Sequence, residues 1–194
     1  MSLESIDQGA LHGIHNNAYF PWLVPVLVVF FYLGSRYVVV AGTLLAAVLL
    51  AARGRRRQGF LLVVTVALAF GLGYATQFLV NRPVFNAVWA PVPQQDARSF
   101  PSLNALTSAA LFGSLALLLT RQLPRGARCR WLLAAGFLPP FVTGVACLFV
   151  GHNYPSDVFA GWLAGAGLAQ ACAWADETIP SRAEHPAISG VKPS

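Results

Sequence analysis

Residues 151–162 read Gly151-His152-Asn153-Tyr154-Pro155-Ser156-Asp157-Val158-Phe159-Ala160-Gly161-Trp162, a polar stretch between two long apolar runs. Pro155 suits the first turn of a helix, and Asp157 follows in that turn, where free backbone N–H groups and the helix dipole favour a carboxylate. A well-capped helix start explains these two residues as well as a functional site does. Because ionisable groups are costly at the mouth of a membrane helix, we interpret the stretch as a candidate site.

A second stretch, Arg98-Ser99-Phe100-Pro101-Ser102-Leu103-Asn104, opens an apolar run in the same manner, and Asn81-Arg82-Pro83 ends another. Taken alone, Arg82 is explained by an arginine that extends to the membrane surface. Two helix N-termini beside one guanidinium, however, form a pocket for an anion such as phosphate. The sequence therefore predicts that Arg82, Ser102 and Asp157 converge at headgroup depth, where a lipid or polyprenyl phosphate would bind.

The composition is that of an integral membrane protein. The 194 residues are 56% hydrophobic and 10% charged, against roughly 25% charged residues in a soluble domain. We expect an all-α membrane bundle of six transmembrane helices. The apolar runs that predict these spans lie at about 18–33, 37–52, 60–80, 103–119, 131–150 and 158–175.

The first two apolar runs are predicted to be separate spans. A single helix of about 35 residues would reach about 52 Å, well beyond a hydrocarbon core of roughly 30 Å, so the break at Gly34-Ser35-Arg36 is expected to turn the chain. Ahead of them, Leu3, Ile6, Ala10, Leu11 and Ile14 recur at helical spacing. They predict a short interfacial helix that binds nothing specific.

The arginine distribution predicts the topology. Residues 53–59 hold four arginines and residues 121–130 hold four more, so both loops are expected on the cytoplasmic side. Six spans then put both termini in the cytoplasm and the site on the periplasmic face of a bacterial inner membrane. Residues 1–176 are predicted to form the transmembrane domain, and residues 177–194 a disordered cytoplasmic tail.

Several classes of function are not supported by the sequence. The three cysteines show no paired spacing of metal ligands, so we expect no disulfide, no metal and no cofactor. The net charge of +6 comes from arginines in short loops between spans, which membrane orientation explains, so we expect no nucleic-acid partner.

The chain resembles the type 2 phosphatidic acid phosphatase family, the lipid-phosphatase branch of the superfamily that includes vanadium haloperoxidases. The resemblance covers nearly the whole chain, from residues 6–11 and 21–25 through the three site segments in order. It implies a membrane bundle of the same fold. It also implies a mechanism in which one histidine attacks phosphorus, an aspartate orients it, and a second histidine protonates the leaving alkoxide.

Most of the reactive residues of that family are replaced here. Arg82-Pro83 matches the first motif, but the lysine position seven residues earlier holds Ala75. The second motif, Pro-Ser-Gly-His, becomes Pro101-Ser102-Leu103-Asn104. In the third motif Asp157 is kept, whereas the nucleophilic histidine position holds Asn153 and the Ser-Arg pair is Ala146-Cys147.

The resemblance therefore implies two readings of function. In the first, the chain is a catalytically impaired member that binds a membrane lipid or polyprenyl phosphate through Arg82, Ser102, Asn104 and Asn153, or that has a structural role or serves as a partner of another membrane protein. In the second, it is an active lipid or polyprenyl (di)phosphate phosphatase that uses His152 and Asp157 in a shifted register. An asparagine amide has no basic lone pair for attack on phosphorus, so we favour the first.

Overall fold

The computed structural model describes residues 3–17, 22–84, 98–121, 123 and 126–178. These residues form seven helices and, within those ranges, no strand beyond one isolated bridge between Pro83 and Arg98. The all-α bundle with a short first helix is as predicted. The helices are α1 (Leu3–Asn17), α2 (Leu23–Leu33), α3 (Arg36–Ala52), α4 (Arg56–Val80), α5 (Leu103–Thr120), α6 (Ala127–Phe149) and α7 (Pro155–Thr178).

Helix α5 lies at the centre of the bundle, packed against α4, α6 and α7. Small residues on α7 let it approach α5 closely, as small-xxx-small patterns do in membranes. A Cβ at Gly161 would lie 2.7 Å from the carbonyl oxygen of Ser102, and one at Gly165 would lie 2.4 Å from that of Leu106. The backbones of α5 and α7 are therefore in direct contact along the two turns that follow the site.

Helix α6 joins α7 through a tryptophan. Pro139 and Pro140 lie inside α6, and the indole Nε1 of Trp162 donates a hydrogen bond to the carbonyl oxygen of Pro140 at 2.9 Å. Gly144 leaves room for the same ring, because a Cβ there would lie 2.4 Å from Trp162. These contacts fix α7 against α6 one turn below the site.

Helices α2 and α3 meet at a bend of 52°, which is far from the reversal expected at Gly34-Ser35-Arg36. Gly34 packs against Thr143 of α6, and Phe31 joins a buried cluster with Cys147 and Val150. The predicted reversal followed from the length of a single straight helix. A helix bent at Gly34 spans less membrane depth than a straight helix of the same number of residues. Among the described residues, four helices are long and apolar enough to cross a membrane, and the number of spans rises to five if α2 and α3 form one bent span. The six helices that follow α1 correspond to the six predicted apolar runs.

The surface of the bundle is apolar over most of its length. Large hydrophobic side chains such as Leu79, Trp131 and Leu163 are at least 75% exposed, as is normal for helices that face lipid and not water. Together with the four to five candidate spans, this identifies a multi-pass membrane protein.

The described ends of the chain lie at opposite ends of the bundle. Asp7 of α1 contacts Ser156 at the start of α7, whereas Asp176, near the end of α7, contacts Arg57 and Arg121. Six spans would put both termini on one side of the membrane, whereas one bent span formed by α2 and α3 would put them on opposite sides. Helix α7 continues to Thr178, so the predicted tail from residue 177 begins inside the helix, and residues 179–194 lie outside the described ranges.

Candidate functional site

Three helix ends meet at one end of the bundle and form the candidate site. Helix α4 stops at Asn81, whose left-handed backbone (φ 50°) turns the chain so that Arg82 leaves the helix direction. Helix α5 begins after Ser102, and the Ser102 N–H donates to the carbonyl oxygen of Asp157 at 3.0 Å. This hydrogen bond ties the first turns of α5 and α7 together.

Arg82 is the centre of the site. Its Nη1 donates to Asp157 Oδ1 and to Ser156 Oγ, each at 2.8 Å. Its Nη2 donates to Asp7 Oδ2, also at 2.8 Å, and the guanidinium lies 4.1 Å from the ring centroid of Tyr154. We call Asp7, Arg82, Ser156 and Asp157 the site cluster.

Asp157 serves the helix as well as the site. Its Oδ2 accepts the backbone N–H of Tyr154, the residue just before α7, at 2.9 Å, which is half of a capping box. The residue is fully buried, and its other oxygen pairs with Arg82. The helix-cap interpretation of this carboxylate is thus confirmed, and its role as a site residue stays a prediction.

Asp7 is a site residue that the sequence did not predict. This carboxylate accepts the backbone N–H of Ser156 at 3.2 Å, the Ser156 hydroxyl and the Arg82 guanidinium. Only 4% of the residue is exposed. Burial alone would raise the pKa of Asp7, but hydrogen bonds from Ser156 and Arg82 outweigh it and hold that pKa below its ordinary value. For Arg82, burial is likewise outweighed by the two carboxylates, which raise its pKa.

A sequence signal for Asp7 exists. Leu3, Asp7 and Leu11 are spaced four residues apart, so they share one face of α1. A carboxylate on the apolar face of an amphipathic helix is costly unless it is paired. That pattern predicts a cationic partner for Asp7 beneath the helix. Ser156 was not predicted, because the family motif includes only its neighbour Asp157.

The amides form a second group next to the site cluster. Ser102 Oγ donates to Asn153 Oδ1 at 3.0 Å, and Asn153 Nδ2 donates to the carbonyl oxygen of Ser99 at 2.7 Å. Asn104 Nδ2 lies 3.9 Å from Cys147 Sγ. The structure therefore brings Ser102 into contact with Asn153. It also brings Asn104 close to Cys147, which stands where the family motif has an arginine.

His152 lies at the edge of this group. Its Nδ1 is 3.2 Å from Asn153 Oδ1, and its ring packs on Phe31 with 5.3 Å between centroids. Both oxygens of Asp157 are engaged by Arg82 and Tyr154. Each carboxylate oxygen of Asp157 thus has at least one donor that is not His152.

Among the described residues, no group of three or more His, Cys, Asp or Glu side chains is arranged to hold a metal ion. The chemistry available at the site cluster is that of one guanidinium, the first-turn N–H groups of α7 and a hydroxyl. These are donors to an anion.

Comparison with known proteins identifies the family of this chain. The family model described as the PAP2 superfamily matches residues 58–179, which include all three helix ends of the site. The chain belongs to the PAP2 superfamily. The resemblance in the sequence is thereby confirmed at the level of the family.

Individual relatives of this PAP2 protein are distant. An undecaprenyl-diphosphatase of Sulfolobus acidocaldarius is 29% identical over 114 residues, which are 57% of this chain and 51% of that protein. The match thus spans about half the length of this curated relative.

Two solved structures share the fold. One is a transmembrane PAP2-type phosphatidylglycerolphosphate phosphatase from Bacillus subtilis, with a TM-score of 0.80 at 19% identity, over 92% of this chain and 88% of that one. The other is LpxE of Aquifex aeolicus, with a TM-score of 0.64 at 24% identity, over 89% and 98%. At these identities the likeness shows the membrane fold alone.

Proposed function

We propose that this PAP2 protein binds the phosphate group of a membrane lipid or polyprenyl phosphate and does not hydrolyse it by the phosphohistidine route. The proposal rests on the contact between Arg82 and the first turn of α7. There the Arg82 guanidinium, the Ser156 hydroxyl and the Ser156 N–H lie side by side as hydrogen-bond donors. Arg82, Ser102, Asn104 and Asn153 are the proposed phosphate-binding residues.

The absence of hydrolysis is argued from the residues at the reactive positions. Asn153 uses its amide to donate to Ser99 and to accept from Ser102, and an amide neither attacks phosphorus nor titrates near neutral pH. Asn104 replaces the acid that would protonate the leaving group. Ala75 and Cys147 replace two cations, and each such electrostatic donor is commonly worth about 10²–10³ in rate.

The location of the site cluster and the substrates named for similar proteins both favour a lipid phosphate as the ligand. The site cluster lies at the end of an apolar bundle, where a lipid headgroup would meet Arg82 while its hydrocarbon chain stays in the bilayer. The named relatives act on undecaprenyl diphosphate and phosphatidylglycerolphosphate, so polyprenyl and glycerolipid phosphates are both proposed ligands.

The proposed orientation follows the arginine-rich loops. Arg57 and Arg121, one from each arginine-rich loop, contact Asp176 at the end of the bundle opposite to the site cluster. The positive-inside tendency then puts that end in the cytoplasm and the site on the outer face of the cytoplasmic membrane. The C-terminal tail is then cytoplasmic. Helix α1 lies with the site on the outer surface.

A binding experiment with a matched control tests the proposal. Full-length protein in detergent micelles should bind dioctanoyl phosphatidic acid, and Arg82→Gln should lose most of that affinity because the only described cation of the site cluster is gone. Arg98→Gln removes the same charge at the same end of the bundle, where Arg98 donates to Asn81, and should bind normally. Equal binding by Arg82→Gln would refute the proposed site.

An activity experiment tests the second half of the proposal. The unmodified protein should release no phosphate from phosphatidic acid or undecaprenyl diphosphate above a protein-free blank. Restoring Ala75→Lys, Asn104→His, Cys147→Arg and Asn153→His together should recover some release, whereas either histidine alone should not, because attack and leaving-group protonation act as a unit. Turnover by the unmodified protein that His152→Ala abolishes would replace this proposal by the shifted-register phosphatase.

A further inference from the structure

The carboxylate of Asp7 occupies the donors that a phosphate group would need. It takes the Nη2 of Arg82 at 2.8 Å, the Ser156 N–H at 3.2 Å and the Ser156 hydroxyl. Asp7 is 75 residues from Arg82 and 149 from Ser156 in the chain. It reaches them from α1, a separate helix that precedes the membrane bundle.

The chemistry of the two anions is shared. Carboxylates and phosphates both bind guanidinium groups through oxygen acceptors, and both are favoured at the first turn of a helix. Asp157 pairs with Nη1 of the same guanidinium, so Arg82 already carries one buried carboxylate that belongs to the bundle itself. Asp7 is the second carboxylate on one cation, and the pocket has no need of it for charge balance.

Few of the described side chains of helix α1 are buried. Among its side chains that the structure describes, residues 5–13, only Asp7 and Leu11 are buried. They are one turn apart on the same face. Asp7 is therefore one of two buried side chains among residues 5–13 that attach α1 to the bundle, and an anion that takes its partners weakens this attachment.

We propose that α1 is a displaceable cover of the anion site, in which Asp7 stands in for the ligand's phosphate until a phosphate-bearing ligand displaces it from Arg82 and Ser156. The inference rests on the proposed phosphate-binding function and adds its regulation. The resting protein is then closed, and its apparent affinity is the intrinsic affinity reduced by the fraction of molecules in which α1 is displaced.

A pair of charge-matched variants tests the cover. Asp7→Asn removes one negative charge at the site and keeps the side-chain size, whereas Gln8→Lys makes the same change in net charge at the neighbouring exposed position. Binding of inorganic phosphate and of dioctanoyl phosphatidic acid is measured for the full-length protein in micelles. Asp7→Asn should bind about tenfold more tightly than the unmodified protein, because minor states of this kind are commonly populated at 10% or less.

The control separates a local effect from a general one. Gln8→Lys should bind like the unmodified protein, and an equal gain in Gln8→Lys would overturn the proposal in favour of nonspecific attraction of anions. A gain in Asp7→Asn for either probe supports the cover. The probe with the larger gain distinguishes a free phosphate ion from a lipid headgroup as the displacing anion.

A measurement on the unmodified protein covers the case in which Asp7→Asn fails to fold. Addition of dioctanoyl phosphatidic acid or inorganic phosphate should raise hydrogen–deuterium exchange in residues 3–17, because α1 leaves the bundle. Unchanged or slower exchange in a protein that binds the probe would show that Asp7 is a structural anchor, and would overturn the inference while the binding function stands. Binding of neither probe by any variant would overturn both.

Discussion

The two ends of the bundle each carry arginine–carboxylate pairs, but they differ in burial and in charge balance. The opposite-end cluster consists of Arg57, Arg121, Asp176 and Glu177, two cations with two anions. The site cluster sets one cation, Arg82, against two anions.

The difference in burial is as large as the difference in charge. Side-chain exposure in the opposite-end cluster runs from 13% at Asp176 to 63% at Glu177. In the site cluster the three charged side chains are 0–16% exposed. A solvent-exposed cluster with balanced charges suits a structural contact between helix ends. A buried cluster with one carboxylate in excess suits, in our proposal, the exchange of that carboxylate for another anion.

The largest expected effect is on the site cluster. Arg82→Gln leaves two buried carboxylates without their cation, and removal of one partner of a buried ion pair costs about 3–5 kcal/mol. Thermal unfolding in detergent should show this loss relative to Arg98→Gln. A change in stability no larger than that of Arg98→Gln would mean that the site cluster is as weakly coupled as a surface pair.

A smaller effect is expected from Arg57 at the other end. Its Nη2 donates to the carbonyl oxygens of Ala175 and Asp176 at 2.6 and 2.7 Å, so it caps the last turn of α7. Arg57→Gln should cost about 1–2 kcal/mol in the same unfolding assay and leave phosphate binding unchanged. Loss of binding in this variant would show that the two ends are not independent.

Arg121 should matter less still. It pairs with Glu177 at 2.7 Å, but 63% of the glutamate side chain is exposed, and exposed pairs contribute about 0.2–1 kcal/mol. Arg121→Gln should therefore shift the unfolding midpoint only slightly, and added salt should reduce the difference further. A salt-independent loss as large as that of Arg57→Gln would contradict this ranking.

The smallest expected effect is a pH dependence of the docking of α1 on the bundle. Because hydrogen bonds from Ser156 and Arg82 hold the pKa of Asp7 below its ordinary 3.8, the contribution of Asp7 to docking is complete above that value. It is lost as the pH falls through the lowered pKa. Hydrogen–deuterium exchange in residues 3–17 should rise at acid pH, and Asp7→Asn should lack this part of the rise. The same acid response in both proteins would exclude Asp7 as its source.

The parts of the site that the sequence predicted are those with local signals. Asp157 and Arg82 each lie at a helix end marked by a neighbouring proline, and their contact follows once those ends share a face. Asp7 was missed because its partners are 75 and 149 residues away. Long-range pairing leaves no local pattern except a carboxylate on an apolar helix face.

The topology was harder to predict than the helices. Hydropathy marks apolar runs and their breaks, but it carries no information on the angle at a break. At Gly34 a reversal and a 52° bend leave the same pattern of residues, so the sequence does not distinguish them. One such angle decides at which end of the bundle the N-terminal helix lies.

The backbone contact between α5 and α7 has a mechanical consequence. Because Gly161 and Gly165 leave no space between the helices, the separation of Ser102 from Asp157 is fixed by main-chain atoms and not by adaptable side chains. The first turns of α5 and α7 are therefore held together by backbone atoms, whichever side chains project from them. We expect histidine at positions 104 and 153 to leave this contact between the two helices unchanged.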